Sequence, residues 1–111
     1  EEAKPEIFTV VEEMPEYPGG MGDLMKYLQN NINYPQVEKE AGIQGKVFVK
    51  FVVQPDGAIS NTEVLRGVAG GEGLSKEAIR VVKSMPKWKP GKQNGRTVPV
   101  YFNLPINFKL N

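Results

Sequence analysis

Residues 45 to 65 read Gly45-Lys46-Val47-Phe48-Val49-Lys50-Phe51-Val52-Val53-Gln54, then Pro55-Asp56-Gly57, then Ala58-Ile59-Ser60-Asn61-Thr62-Glu63-Val64-Leu65. Val47, Val49, Phe51 and Val53 share one face at period two, with Lys46, Lys50 and Gln54 on the other. That pattern is a strand of a sheet wet on one side, and it calls for a cover over the apolar face. Proline is pre-set for the second turn position, aspartate is tolerated at the third, and Gly57 supplies the positive φ that closes a hairpin. Between Ile59 and Val64 the apolar phase slips by one residue, which predicts a bulge near Asn61 and Thr62.

Downstream, Thr97 to Leu110 alternates without a fault. Val98, Val100, Phe102, Leu104, Ile106, Phe108 and Leu110 are apolar, with Thr97, Pro99, Tyr101, Asn103, Pro105, Asn107 and Lys109 between them. This is a third strand. Successive residues of a strand aim their N–H and C=O groups at opposite edges, and a proline belongs on an edge that faces away from the sheet. Pro99 and Pro105 are both odd, so the even residues should bond inward to the hairpin and leave the odd edge open, Tyr101 and Asn103 included. Two readings of that edge stand. The prolines protect it against aggregation, or an extended peptide adds to it as a further strand.

The cover is supplied by helices. Ser75 is placed to cap a helix running to Met85, whose stripe Leu74, Ala78, Val81, Val82 and Met85 suits the hairpin's apolar face, and Pro86 ends it. Leu24, Met25, Leu28 and Ile32 predict another helix over 23–32, with Asp23 at its cap or first turn. Pro35 opens a short helix to Ala41, stopped by Gly42 with Ile43 packing back. Gly67 to Gly73 holds four glycines, but no Lys-Ser/Thr pair follows and Glu72 would repel an anion, so it reads as a connection and not a phosphate loop. Lys87 to Arg96 is a basic loop that Trp88 anchors to the core, with Asn94-Gly95 as a tight turn. Phe8-Thr9-Val10-Val11 is a short candidate strand for a sheet edge, and Met14 to Gly20 a fixed Pro/Gly loop in which Tyr17 packs on the core.

One domain is what 111 residues with 40% hydrophobic content allow. The absence of cysteine and histidine excludes disulfides, thiolate or imidazole metal sites and Ser-His or Cys-His catalysis, so no catalytic residue, metal or cofactor is assigned. No stretch approaches the length of a membrane span. Net charge is +1, but residues 1–23 carry seven acids against one base and residues 76–111 eight bases against one acid. A basic third of this kind fits an acidic peptide or an anionic polymer, and more commonly is a solvated face. Residues 1–22 read as an acidic linker with a Pro/Gly loop, and 23–111 as the folded domain.

Taken in order, Tyr34-Pro35 with its short helix, Gly42 to Val53, Pro55-Asp56-Gly57, a helix ending in Trp88-Lys89-Pro90-Gly91 and the last alternating strand resemble the TonB carboxy-terminal domain over Asn31 to Leu110. The Met14–Gly20 loop and Leu104-Pro105-Ile106 resemble the version found in Bacteroidota. The resemblance implies an α+β fold, a three-stranded antiparallel sheet with two helices packed on one face (αββαβ). To this the residues add an extra amino-terminal helix and the short strand. It also implies a non-enzymatic periplasmic module, anchored to the inner membrane by a helix that would precede it, which links the ExbB-ExbD motor to outer-membrane TonB-dependent transporters. By position, the transporter's TonB box would pair along Val100, Tyr101, Phe102, Asn103 and Leu104, with Asn31, Tyr34 and Pro35 near the receptor contact. Enterobacterial members carry glutamine where this chain has Asn31, and if strand addition occurs here it must centre on Tyr101 and Asn103, where donors survive. An alternative within the resemblance is a sensory or accessory domain of a membrane-bound metallopeptidase-like receptor. Nucleic-acid binding through Lys83, Lys87, Lys89, Lys92 and Arg96 is not expected, and the open edge could equally swap strands with a second copy as a homodimer.

Overall fold

A computed structural model of the chain describes residues 6–110; residues 1–5 of the expected linker lie outside the described residues. Its elements in order are α1 (Met21–Asn31), α2 (Gln36–Glu40), β1 (Gly45–Val53), β2 (Ile59–Arg66), α3 (Glu72–Lys83), β3 (Gly91–Gln93), β4 (Arg96–Val98) and β5 (Val100–Phe108). Strands β2, β1 and β5 form an antiparallel sheet in that order, with β1 central. The expected α+β architecture is present.

The hairpin forms as its turn chemistry dictates. Gly57 N–H donates to Gln54 C=O, Gln54 N–H to Ala58 C=O, and the Asp56 carboxylate accepts from Ala58 N–H at 2.9 Å. Asp56 is thus consumed by the turn. The bulge falls where the phase slips: Lys50 pairs Glu63 but Val52 pairs Ser60, and Asn61 takes φ 50° to absorb the extra residue. A second shift lies at Leu65, between Phe48↔Arg66 and Val49↔Val64.

Val47, Val49, Phe51 and Val53 are fully buried under Leu24 and Leu28 of α1 and Leu74, Ala78, Val81 and Val82 of α3. The opposite face is drier than expected. Val52 is also fully buried, a short side chain sheltered between its register partners Tyr101 and Ser60 on the flanking strands.

Three boundaries depart from expectation. Helix α1 begins at Met21, two residues before the expected start, so Asp23 lies in its first turn. Helix α3 begins at Glu72, three residues before Ser75, because the missing cap comes from elsewhere: the buried Glu38 carboxylate of α2 accepts Gly73 N–H at 2.9 Å. A carboxylate at a helix amino terminus satisfies an orphan donor and opposes the helix dipole. The last strand is divided by Pro99, and the basic loop before it is a hairpin, β3–β4, turned by Asn94 at φ 54° and Gly95 at φ 75°.

Helix α2 ends as predicted. Gly42 adopts φ 69°, its N–H bonds Lys39 C=O, and Ile43 N–H bonds Glu38 C=O, the paired bonds of a glycine-terminated helix.

Candidate partner-binding edge

Strand β5 pairs with β1 over nine residues, from Gly45↔Phe108 to Val53↔Val100, and is otherwise the sheet's edge. The amide of Tyr101 points away from β1, so the odd residues face outward as the prolines require. Among the described residues there is no concave pocket; what the site offers a partner is main chain.

That edge is not wholly open. Phe8 lies beside Val100 in a parallel bridge: Tyr101 N–H donates to Phe8 C=O at 2.8 Å, and Phe8 N–H to Pro99 C=O at 3.0 Å. Tyr101 was expected to present a free donor, and that expectation is corrected. Asn103 is exposed, and among the described residues its amide has no main-chain partner. Pro105 and Asn107 continue the exposed edge.

Of the five residues expected to receive a partner strand, Val100 and Leu104 are buried in the core, while Phe102 packs against Phe51 and Trp88 at ring separations of 5.6 and 4.9 Å. Only Tyr101 and Asn103 turn side chains to the outer face, and Lys50 Nζ sits 4.0 Å above the Tyr101 ring. The other expected contacts gather elsewhere. Tyr34 meets Phe108 edge-on at 5.7 Å and donates its hydroxyl to Ile43 C=O. Burial, then the nearby Glu38 carboxylate, raises the pKa of that hydroxyl. At ~3.3 Å per residue, Phe108 is about 13 Å along β5 from Leu104. The two groups are therefore separate, Tyr34 lying against the core-facing ring at the far end of β5.

Asn31 and Asn33 are held by α3. Glu77 accepts Asn33 N–H at 2.7 Å and both Arg80 Nε–H and Nη2–H, while Arg80 Nη2 also donates to Asn31 C=O at 2.7 Å. The Arg80 hydrogen bond holds the Glu77 carboxyl below its ordinary pKa; burial opposes this, and the Asn33 amide reinforces it. A depressed folded-state pKa gives stability that is present above the unfolded value, about 4.3, and is lost as pH falls through the folded one. Glu77→Gln should therefore cost about 1 kcal/mol at neutral pH, kept small because half-exposed Arg80 is screened. Urea midpoints of wild type and variant should converge between pH 7 and pH 3.

Residues that sequence reasoning missed lie in the amino-terminal segment. Glu13 exchanges main-chain bonds with Lys92, and Glu16 with Lys89, while Glu12 N–H bonds the Gln93 side chain and Asn94 N–H the Glu12 carboxylate. The acidic stretch thus runs along the basic hairpin. Tyr17, buried as expected, fills the space between Tyr27 and Trp88 at 5.9 and 5.7 Å. The Phe8–Val11 run does reach a sheet edge, but only Phe8 pairs.

The family model described as Gram-negative bacterial TonB protein C-terminal matches residues 30–110. The chain is similar to the NMR solution structure of the Helicobacter pylori TonB carboxy-terminal domain over that protein's residues 179–285. The two are 22% identical with a TM-score of 0.63, over 82% of this chain and 80% of that one. The shorter form, residues 194–285, gives 22% identity and a TM-score of 0.61 over 80% and 91%. Comparison with curated proteins gives no match.

Proposed function

Because this chain belongs to the family of Gram-negative bacterial TonB carboxy-terminal domains, we propose that it is the periplasmic, non-enzymatic domain of a TonB-type energy transducer. In this reading it takes the TonB box of outer-membrane transporters by strand addition on β5 and passes on force derived from the proton gradient through ExbB-ExbD. The full-length protein would be held to the inner membrane by a helix outside these residues; among the described residues no helix is long and apolar enough to cross a membrane.

The observation that carries the reading is the exposed outer edge of β5, where, among the described residues, the Asn103 amide has no main-chain partner. Magnitudes limit what that edge can do. Asn103 and Asn107 offer outward donors at about 1 kcal/mol each, and Tyr101 a third only in exchange for its bond to Phe8, less in sum than the ~4 kcal/mol of a millimolar complex. The outward side chains of Tyr101 and Asn103, and contacts near Asn31, Tyr34 and Pro35, must supply the rest.

The test is an NMR titration of the chain with a TonB-box peptide from a transporter of the same organism. Amide shifts concentrated on Tyr101 to Asn107, with a second group around Asn31 to Pro35, are expected. Silence at millimolar peptide would sink strand addition.

A further inference from the structure

The amino-terminal segment precedes the family-matched residues 30–110, yet it lands on the edge to which the function is assigned. Two unequal grips hold it. Residues 12–17 are fixed firmly: the reciprocal bonds of Glu13 with Lys92 and Glu16 with Lys89 tie down the backbone, and Pro15 and Tyr17 are buried. The second grip is Phe8, with two main-chain bonds and a half-buried ring. Between them Thr9 and Val10 are exposed, Val10 at 78%, and only Val11 is buried.

The lighter grip sits where a partner would have to bond. An amide N–H serves one acceptor well, and Phe8 C=O already accepts from Tyr101 N–H at 2.8 Å. With the amides at Pro99 and Pro105 absent, Tyr101 is one of two donors on the outer edge between those prolines, the other being Asn103.

We propose that Phe8 is an internal competitor for the β5 edge: it makes the main-chain bonds that a partner strand would make, and the segment must lift at Phe8, staying held at residues 12–17, before a partner peptide can bond Tyr101. This rests on the strand-addition reading. Apparent affinity for the peptide is then reduced by the fraction of molecules in which Phe8 is lifted.

Phe8→Pro in the 111-residue chain deletes the N–H that donates to Pro99. Without peptide, hydrogen exchange at the Tyr101 amide should be slow in wild type and about three- to tenfold faster in the variant, the loss of one neutral hydrogen bond from the strap. With the TonB-box peptide used above, the variant should bind about three- to tenfold tighter, with a larger shift at Tyr101. Should proline disturb the sheet, Phe8→Gly drops only the ring and should move both readouts the same way by less. Equal binding by both forms, with Tyr101 shifting in each, overturns the competition and leaves strand addition standing. Tyr101 exchange that differs between the forms while neither binds peptide shows strand addition itself to be wrong, and the competition falls with it.

Discussion

Replacing Gly57 by alanine is expected to destabilise the chain by about 3 kcal/mol or more, with the urea midpoint falling while the slope stays the same. Two separate demands meet at this residue. Its φ is +89°, where a Cβ is strained by about 1–3 kcal/mol. A Cβ there would also fall onto the Trp88 carbonyl oxygen, and the Trp88 main chain has no freedom to withdraw. Trp88 N–H donates to Gly57 C=O at 2.8 Å, and the indole is wedged between Tyr17, Phe51 and Phe102. The hairpin turn and the segment between α3 and β3 are thus closed on each other through one glycine. Gly42→Ala is the control. Its φ is +69° but nothing lies within 4 Å of the added carbon, so about 1–2 kcal/mol is expected. The difference between the two variants isolates the collision, and the emission of the lone tryptophan follows both unfolding curves.

The contrast between these glycines also marks how far sequence carries. The turn need for Gly57 was legible, because Pro-Asp-Gly has its own local chemistry; the approach of Trp88 was not, since nothing in the spacing of residues 57 and 88 encodes a backbone contact. The same division runs through the fold. The bulge at Asn61 was visible as a phase slip, and the outward edge of β5 as two odd prolines, since both leave a periodic trace in the side chains. The start of α3 left none: Glu38, 35 residues before Gly73, provides the cap. Pairing of Glu13 with β3, and of Glu16 with Lys89 just before it, was hidden for the same reason, because main-chain bonds are indifferent to side-chain type. At the candidate edge, the direction of Tyr101 N–H was readable and its partner, Phe8, was not.

Asn103→Pro is expected to weaken binding of the TonB-box peptide about three- to tenfold, which takes a millimolar site below detection in the titration, while stability changes by about 1 kcal/mol or less. Tyr101 is the less clean site for such a test: deleting its amide would take away a donor that the peptide needs and at the same time free the edge from Phe8, two effects of opposite sign. Asn103 is bonded to neither Phe8 nor β1 through its amide, and its side chain is exposed. Proline already occupies the same edge of β5 at Pro105, two residues on, so the backbone geometry tolerates it. Phe102→Pro, one residue away, should behave in the opposite manner. Its amide faces β1, where Phe102 pairs with Phe51, and its ring packs on Trp88; losing a ladder bond and core contacts together should cost about 3 kcal/mol or more. If Asn103→Pro unfolds the chain and Phe102→Pro does not, the assignment of edges is reversed. If both fold and both still bind, the peptide docks elsewhere.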